Sequence, residues 1–426
     1  MDAFLPALAA FAVPLMLVSP AAASNGPAPD PATTVQDYLT AVDVMLMPGP
    51  HAGATAGRGG AVTNMSASSF YAPGSTTRRR LGGYEVARAQ GFHDWVAAHG
   101  DIYRSITTTL QNPTVDVSGS AARVTGDAVT TMLWTLAART QPSPAMSAEK
   151  ARSMREASRR GLVFGPGDTV DTKVATTHTF KLVNVDGAWK ITQDRYLDPL
   201  NVGLAADHET PVPAPPDPGN AAAGPPEAPV GGSLIKPESA TAASAGVVTY
   251  RRGDAVTYAD EHWDSYNPNY IDYNPYGGDC ANFVSQSLWD PNGAHLPSAG
   301  SYWGYFGGTD PTAASPVAWR YTPSQHQFFI NNPQGSTFDF GWLGEEGSYA
   351  TTSTYDKDNM LLGDVLFYDW HSDGVIDHTA IVAAYLSDGS SLVDAHNTDH
   401  YRARYDLGFS DTTYYLDRMH DDISFK

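Results

Sequence analysis

The chain contains a single cysteine, Cys280, in 426 residues. This excludes an intramolecular disulfide, so burial and hydrogen bonding must hold the fold. Positive charge is scarce towards the C-terminus. From 247 to 426 there are 8 Lys and Arg against 25 Asp and Glu, a balance of −17 within the −20 of the whole chain. So acidic a surface repels nucleic acid and anionic membranes, which excludes both as partners of this half. Long apolar runs are missing beyond the N-terminus, so no later segment reads as a membrane span. Residues 4–18, FLPALAAFAVPLMLV, are apolar but short and broken by Pro6 and Pro14. With Ala21-x-Ala23 after them they read as a signal peptide over 1–23, a mature start near Ser24, and a secreted or wall-associated monomer. An unpaired thiol in an exported chain calls for a chemical reason.

Residues 204–246 are rich in Pro, Ala and Gly and lack aromatics, the composition of a flexible linker. Residues 49–61 read as a second flexible stretch, a loop. The linker separates two α+β domains, 33–203 and 247–426. In the first, TVQDYLTAVDVML and YEVARAQGFHDWVAAHGD show helical periodicity. Strand patterns follow, with a hairpin turning at Asp186-Gly187. Helices first and a curved antiparallel sheet afterwards resemble the cone-shaped domains related to nuclear transport factor and the steroid isomerases. The basic stretch Lys150–Arg160 reads as a solvated helix face.

Cys280 lies in NPYGGDCANFVSQSL. Gly277 and Gly278 break the preceding segment, Asp279 stands at the N-cap position, and Cys280, Phe283, Val284 and Leu288 repeat at helical spacing. The sulfur therefore falls in a first helical turn, where free amides and the macrodipole favour a thiolate, while the Asp279 charge opposes it. A free cysteine can equally serve as a small buried hydrophobe. The aromatics of 290–360, Trp303, Trp319, Phe328, Phe329, Trp342 and Tyr349, read chiefly as core. Three strand-like runs follow, at 363–370, 378–386 and 391–399, and carry His378 and His396. A helix bearing a thiol packed on a sheet bearing imidazoles is what a thiol hydrolase needs.

YNPNYIDYNPYGGDCANFVSQSL and GDVLFYDWHSDGVIDHTAIVAAYLSDGSSLVDAHNTDHYRAR resemble the putative amidase domain of Gram-positive bacteria, a branch of the papain-like cysteine amidases. The resemblance covers about 170 residues and none of 1–246. It implies a papain-like fold for 247–426, with Cys280 as nucleophile, His378 as base and no cofactor. For the third polar residue it implies His396. Turn chemistry instead favours Asn397. A two-residue turn at Asp388-Gly389 pairs strands with indices summing to 777 and puts Asn397 on the face of His378; a bulge shifts the sum to 776 and brings His396 there. In DWHSDGVIDH the acidic spacing is reminiscent of a calcium loop, but His371 at the third position and Ala380 at the twelfth exclude the pattern, and no metal is expected. The substrates expected are peptide-type amides, with the stem peptides of peptidoglycan as candidates. An acyl transferase using the same residues, and a non-catalytic envelope-binding protein, are the alternatives. A Cys280/His378 pair predicts thiol reactivity that persists below the ~8.5 of an isolated thiol.

Overall fold

Helix α1, Pro31–Leu46, starts where Asp30 accepts hydrogen bonds from the Ala32 and Thr33 amides, with Pro31 at the first helical position. Its buried residues Val35, Tyr38, Leu39, Val42 and Leu46 recur at helical spacing and form one apolar stripe. That stripe and α2, Thr76–His99, lie against an antiparallel sheet of β1, Ile102–Ser118, β2, Ala121–Thr135, β4, Thr169–Val185, and β5, Ala188–Arg195. The β4–β5 turn consists of Asp186 and Gly187, both at positive φ (51° and 84°), the geometry a tight two-residue hairpin demands. Between β2 and β4 come α3, Ala148–Arg159, and the short β3, Val163–Phe164.

The second half contains β6, Gly246–Thr249, α4, Arg252–His262, α5, Cys280–Trp289, α6, Val317–Arg320, and α7, Thr322–Ile330. The strands β7, Trp342–Gly344, β8, Ala350–Ser353, β9, Val365–Asp369, β10, His378–Leu386, β11, Ser391–Ala395, β12, Asp399–Arg404, β13, Thr413–Met419, and β14, Asp422–Phe425, complete it. The molecule is thus a mixed α+β protein with largely antiparallel pairing. This computed structural model describes residues 30–48, 67–73, 76–137, 146–196, 246–296, 303–330, 342–344, 350–353, 359–370, 372–409 and 412–425. The expected signal peptide, the 49–61 loop, the linker before Gly246 and His371 lie outside them.

One sheet crosses from the first half into the second, in the order β1-β2-β4-β12-β11-β10-β9-β13-β8. The junction is antiparallel pairing of β4 with β12, where Asp399, His400 and Tyr401 oppose Ala175, Val174 and Lys173. Buried charges lock it. Arg404 makes two hydrogen bonds to Asp101, at 2.7 and 2.9 Å, a bidentate pair across the junction. Lys150 departs from the solvated-helix expectation: it is fully buried, donates to the Met360 carbonyl (2.6 Å) and to Ser391 Oγ (3.2 Å), and lies over the Tyr385 ring. Its neighbours Arg152, Arg155, Arg159 and Arg160 are not buried. Lys150 falls on the helix face that packs on β10, a fact that charge periodicity does not encode.

Candidate active site

Gly277 and Gly278 both adopt positive φ, 119° and 131°, which brings the chain round to the start of α5. Nine of the ten residues of α5 are buried, Asn282, Ser285, Gln286 and Ser287 among them. Each of these polar side chains has a partner. Trp319 Nε1 donates to Asn282 Oδ1 (2.6 Å), Trp303 Nε1 to Ser285 Oγ (2.9 Å), and Tyr258 Oη to Gln286 Oε1 (2.7 Å). The Ser287 hydroxyl donates to the Phe283 carbonyl. So Trp303 and Trp319 fill the core, as the sequence suggested, and also fix the polar side of the helix. Asp279 occupies the N-cap position without capping. Its side chain makes no hydrogen bond to the helix amides and is otherwise engaged.

Cys280 is 6% exposed. Burial pushes its thiol up to about 12; the amides of Thr379 and Ala281, aimed at the sulfur, work in the other direction, and the Asp279 charge adds to the rise. The Thr379 amide follows directly on His378. The sulfur therefore meets the main chain at the start of β10, one residue along from His378, but no hydrogen bond joins the thiol to the imidazole among the described residues.

The register on the His378 side matches neither sequence reading in its index sum, but it assigns the faces as the two-residue-turn reading does. β10 and β11 pair with indices summing to 776 at Tyr385–Ser391 and Ala384–Leu392, then shift to 775 at Val382–Val393 and Ile381–Asp394. The first value is the bulged alternative, and the second comes from a further irregularity between Val382 and Ala384. A one-residue slip exchanges the faces of a strand. It leaves Asp394 and His396 on the side of Ile381, which packs with Phe283 and Val284 of α5. His378 shares the other side with Ala380, Val393 and Ala395, which together line a small cleft. Trp370, Tyr368 and His400 flank the His378 ring, with centroids 5.5, 5.4 and 6.4 Å away. Burial holds His378 neutral, its pKa depressed to about 3 with His400 adding to the effect, and depresses His400 to about 4. His378 Nδ1 is buried with no hydrogen-bond partner among the described residues.

His396 does not orient His378. Its ring is sandwiched between Tyr266 and Phe283, at 4.0 and 4.1 Å. Nδ1 is 2.6 Å from Asp279 Oδ2 and Nε2 is 2.6 Å from the His262 carbonyl, so both nitrogens are occupied. Burial by itself would depress this imidazole, but the Asp279 hydrogen bond and charge, with Asp399, raise it above the ordinary range. Asn397 and Thr398 take positive φ (59° and 38°) and form the β11–β12 turn. The Asn397 side chain lies against Gly278, its Nδ2 filling the space that a Cβ there would need. Asn397 thus braces the loop before Cys280 and makes no hydrogen bond to His378. Sequence reasoning missed His400 and Tyr266 as members of this neighbourhood, and the pairing of Asp279 with His396. Only the D-C and H-N-T-D motifs hinted at them, because adjacency to Cys280 and His396 is visible in sequence but the pairing is not.

The described residues of DWHSDGVIDH form a turn held by its own carboxylates. Asp369 accepts from the Asp373 and Gly374 amides (3.1 and 2.8 Å), and Asp377 from the Trp370 amide (2.8 Å). These bonds use the carboxylates that a calcium loop would direct at a metal.

Residues 249–417, about two fifths of the chain, match the family model described as "Putative amidase domain". An uncharacterized protein, YhbB of Bacillus subtilis (strain 168), is 28% identical over 169 residues, 39% of this chain and 47% of that protein. The match thus spans about half the length of this relative. Among solved structures, a "Putative Scytalone Dehydratase" of Novosphingobium aromaticivorans DSM 12444 is similar at 14% identity over 38% of this chain and 78% of its own, with a TM-score of 0.20. A nuclear transport factor 2-like protein of Salmonella enterica matches at 16% identity over 39% and 86%, with a TM-score of 0.18.

Proposed function

We propose that residues 247–426 form a papain-like cysteine amidase that cleaves peptide-type amides, with Cys280 as nucleophile and His378 as base. The observation carrying this reading is the contact of the sulfur with the main chain at the start of β10, one residue along from His378. The buried thiol takes the amide of Thr379, and the residue before it holds a neutral imidazole whose Nδ1 has no partner among the described residues. The thiol and the imidazole are each neutral and stand on opposite faces at the start of β10, which differs from the thiolate–imidazolium pair expected from the motif. In this environment the proton moves as the sulfur attacks, not before.

The step balances simply. His378 turns towards the sulfur and takes its proton as the S–C bond forms at the substrate carbonyl. The same proton passes to the leaving amine as the C–N bond breaks, and water then releases the acid from the thioester. Main-chain amides at the sulfur, those of Cys280 and Thr379, are suited to receive the developing oxyanion. The aromatic cleft beside His378 suits an apolar side chain of a peptide. Cell-wall stem peptides are the candidate substrates, since the N-terminal segment reads as an export signal.

The test is incubation with a panel of amides and muropeptides, read by mass spectrometry, for wild type and Cys280→Ala. Cleavage by the first and none by the second is the expected result; no cleavage of any amide by wild type overturns the reading. Export is tested by sequencing the N-terminus of protein recovered outside the cell, with a start near Ser24 expected and an intact Met1 excluding it.

A further inference from the structure

Asp279 presents a problem for a nucleophile. It is a fully buried carboxylate covalently next to Cys280, and a lone negative charge there raises the cost of forming a thiolate. Its surroundings answer the problem. Oδ1 accepts from the Tyr273 amide and from Asn282 Nδ2, both at 2.8 Å. The Asn282 amide cannot be flipped without losing the Trp319 Nε1 hydrogen bond to its Oδ1, so Nδ2 faces Asp279. Two N–H donors on one oxygen favour the ionised carboxylate. The other oxygen meets His396 Nδ1.

We infer that His396 is a positioning residue that acts through Asp279, cancelling the carboxylate's charge beside Cys280. The hydrogen bonds allow no other net charge. His396 Nε2 lies against the His262 carbonyl, which can only accept, so Nε2 carries a proton. The Nδ1–Oδ2 contact contains one further proton, on whichever atom. Imidazolium with carboxylate, or imidazole with carboxylic acid, both sum to zero. The donors on Oδ1 select the first. Tyr266 and Phe283 cover the two faces of the ring and bar water from it.

The other groups facing this pair are consistent with a local neutral unit. Asp399, on β12, accepts from Tyr266 Oη and the Asn397 amide and is raised by burial to about 6. Asp272 accepts from the Asn274 amide and is also raised by burial. His262 contributes its carbonyl, and its ring hydrogen-bonds the Ser265 carbonyl instead. His378 lies on the opposite face of the sheet. The function of this device rests on the amidase reading, but the charge argument does not.

The experiment therefore measures the thiol without substrate. The full chain is alkylated with iodoacetamide over a range of pH, and mass spectrometry reads modification at its only cysteine. His396→Gln leaves Asp279 charged and unpaired. A rise of about one pH unit in the thiol profile is expected, or alkylation about three- to tenfold slower at neutral pH. Asp279→Asn removes the charge while His396 reverts to neutral, so its profile should stay within about half a unit of wild type. The double variant His396→Gln/Asp279→Asn should return to wild type. A downward shift in Asp279→Asn, an unmoved His396→Gln, or a double variant that fails to recover each overturns the inference. If His396→Gln does not fold, the Asp279→Asn profile decides alone. Loss of amide cleavage in wild type with these shifts intact would sink the proposed function and leave the charge device standing.

Discussion

The two faces of β10 are built on opposite terms. On the α5 face, Asp279, Asn282, Ser285 and His396 are buried and hydrogen-bonded to one another or to tryptophan N–H groups. On the cleft face, His378 and His400 are equally buried, yet His378 Nδ1 has no partner among the described residues. A satisfied polar network fixes a helix; an unsatisfied buried nitrogen is costly and marks where chemistry is to be sought. Cys280 stands where the two meet, its sulfur on the Thr379 amide between them. The difference teaches that the motif residues divide their labour. His396 belongs to the frame, and in the proposed function His378 belongs to the reaction.

The largest effect that would sharpen this division is at the sulfur. Cys280→Ser should abolish turnover and leave the melting temperature within a few degrees, because the hydroxyl still finds the amides of Thr379 and Ala281. A collapse of folding instead would place Cys280 in the frame. Next is His378→Ala, expected to lower kcat by about 10²- to 10⁴-fold, the usual range for a general base. Since burial, not an imidazolium, sets the thiol's pKa, the alkylation profile of this variant should scarcely move. A large upward shift would restore the ion-pair mechanism and break the comparison as drawn.

The third test is stability in acid. His378 and His400 have folded pKa values depressed to about 3 and about 4. Below their unfolded value of about 6.5 the unfolded chain binds protons that the fold refuses. Stability should therefore fall as pH drops from ~6.5 towards 4, by at most ~1.4 kcal/mol per pH unit for each group. His396 has the opposite sign. Its raised pKa stabilises below the unfolded value, and that share is lost as pH rises through the folded one. Denaturation midpoints of wild type and His378→Gln/His400→Gln against pH check this; a variant as acid-sensitive as wild type refutes it. The smallest effect concerns Asn397. Its contact with Gly278 braces the loop, so Asn397→Ala should slow turnover by only a few-fold and leave the thiol profile in place. A loss as deep as that of His378→Ala would return Asn397 to the position of orienting residue.

Much of the fold and of the candidate site is legible in the residues alone. Cys280, Phe283, Val284 and Leu288 at helical spacing mark α5, and Asp186-Gly187 marks its hairpin. The D-C-x-N-F-V-S-Q and D-H motifs point to the region of 249–417 that matches the amidase family. Charge patterning misplaces the side chain of Lys150, because a lysine in a basic run looks solvated until β10 is packed against it. The bulged count, which the resemblance favoured, misplaces His396 for a subtle reason, whereas the two-residue-turn count has its face right. Side chains alternate with a period of two, so one irregularity between Val382 and Ala384 moves every later residue of the pairing to the other face.

Local order, then, is in the sequence by itself: helix starts, turns, the lone thiol, the acidic balance. These depend on residues a few positions apart, whose backbone preferences and spacing act while the chain is still unfolded. The division of the histidines is not. It depends on a strand register, on the joining of β4 to β12 in one sheet, and on which nitrogen meets a carboxylate 117 residues away in the chain. Such choices are made by burial, where each polar group must find a partner or go without, and only the tertiary structure decides which.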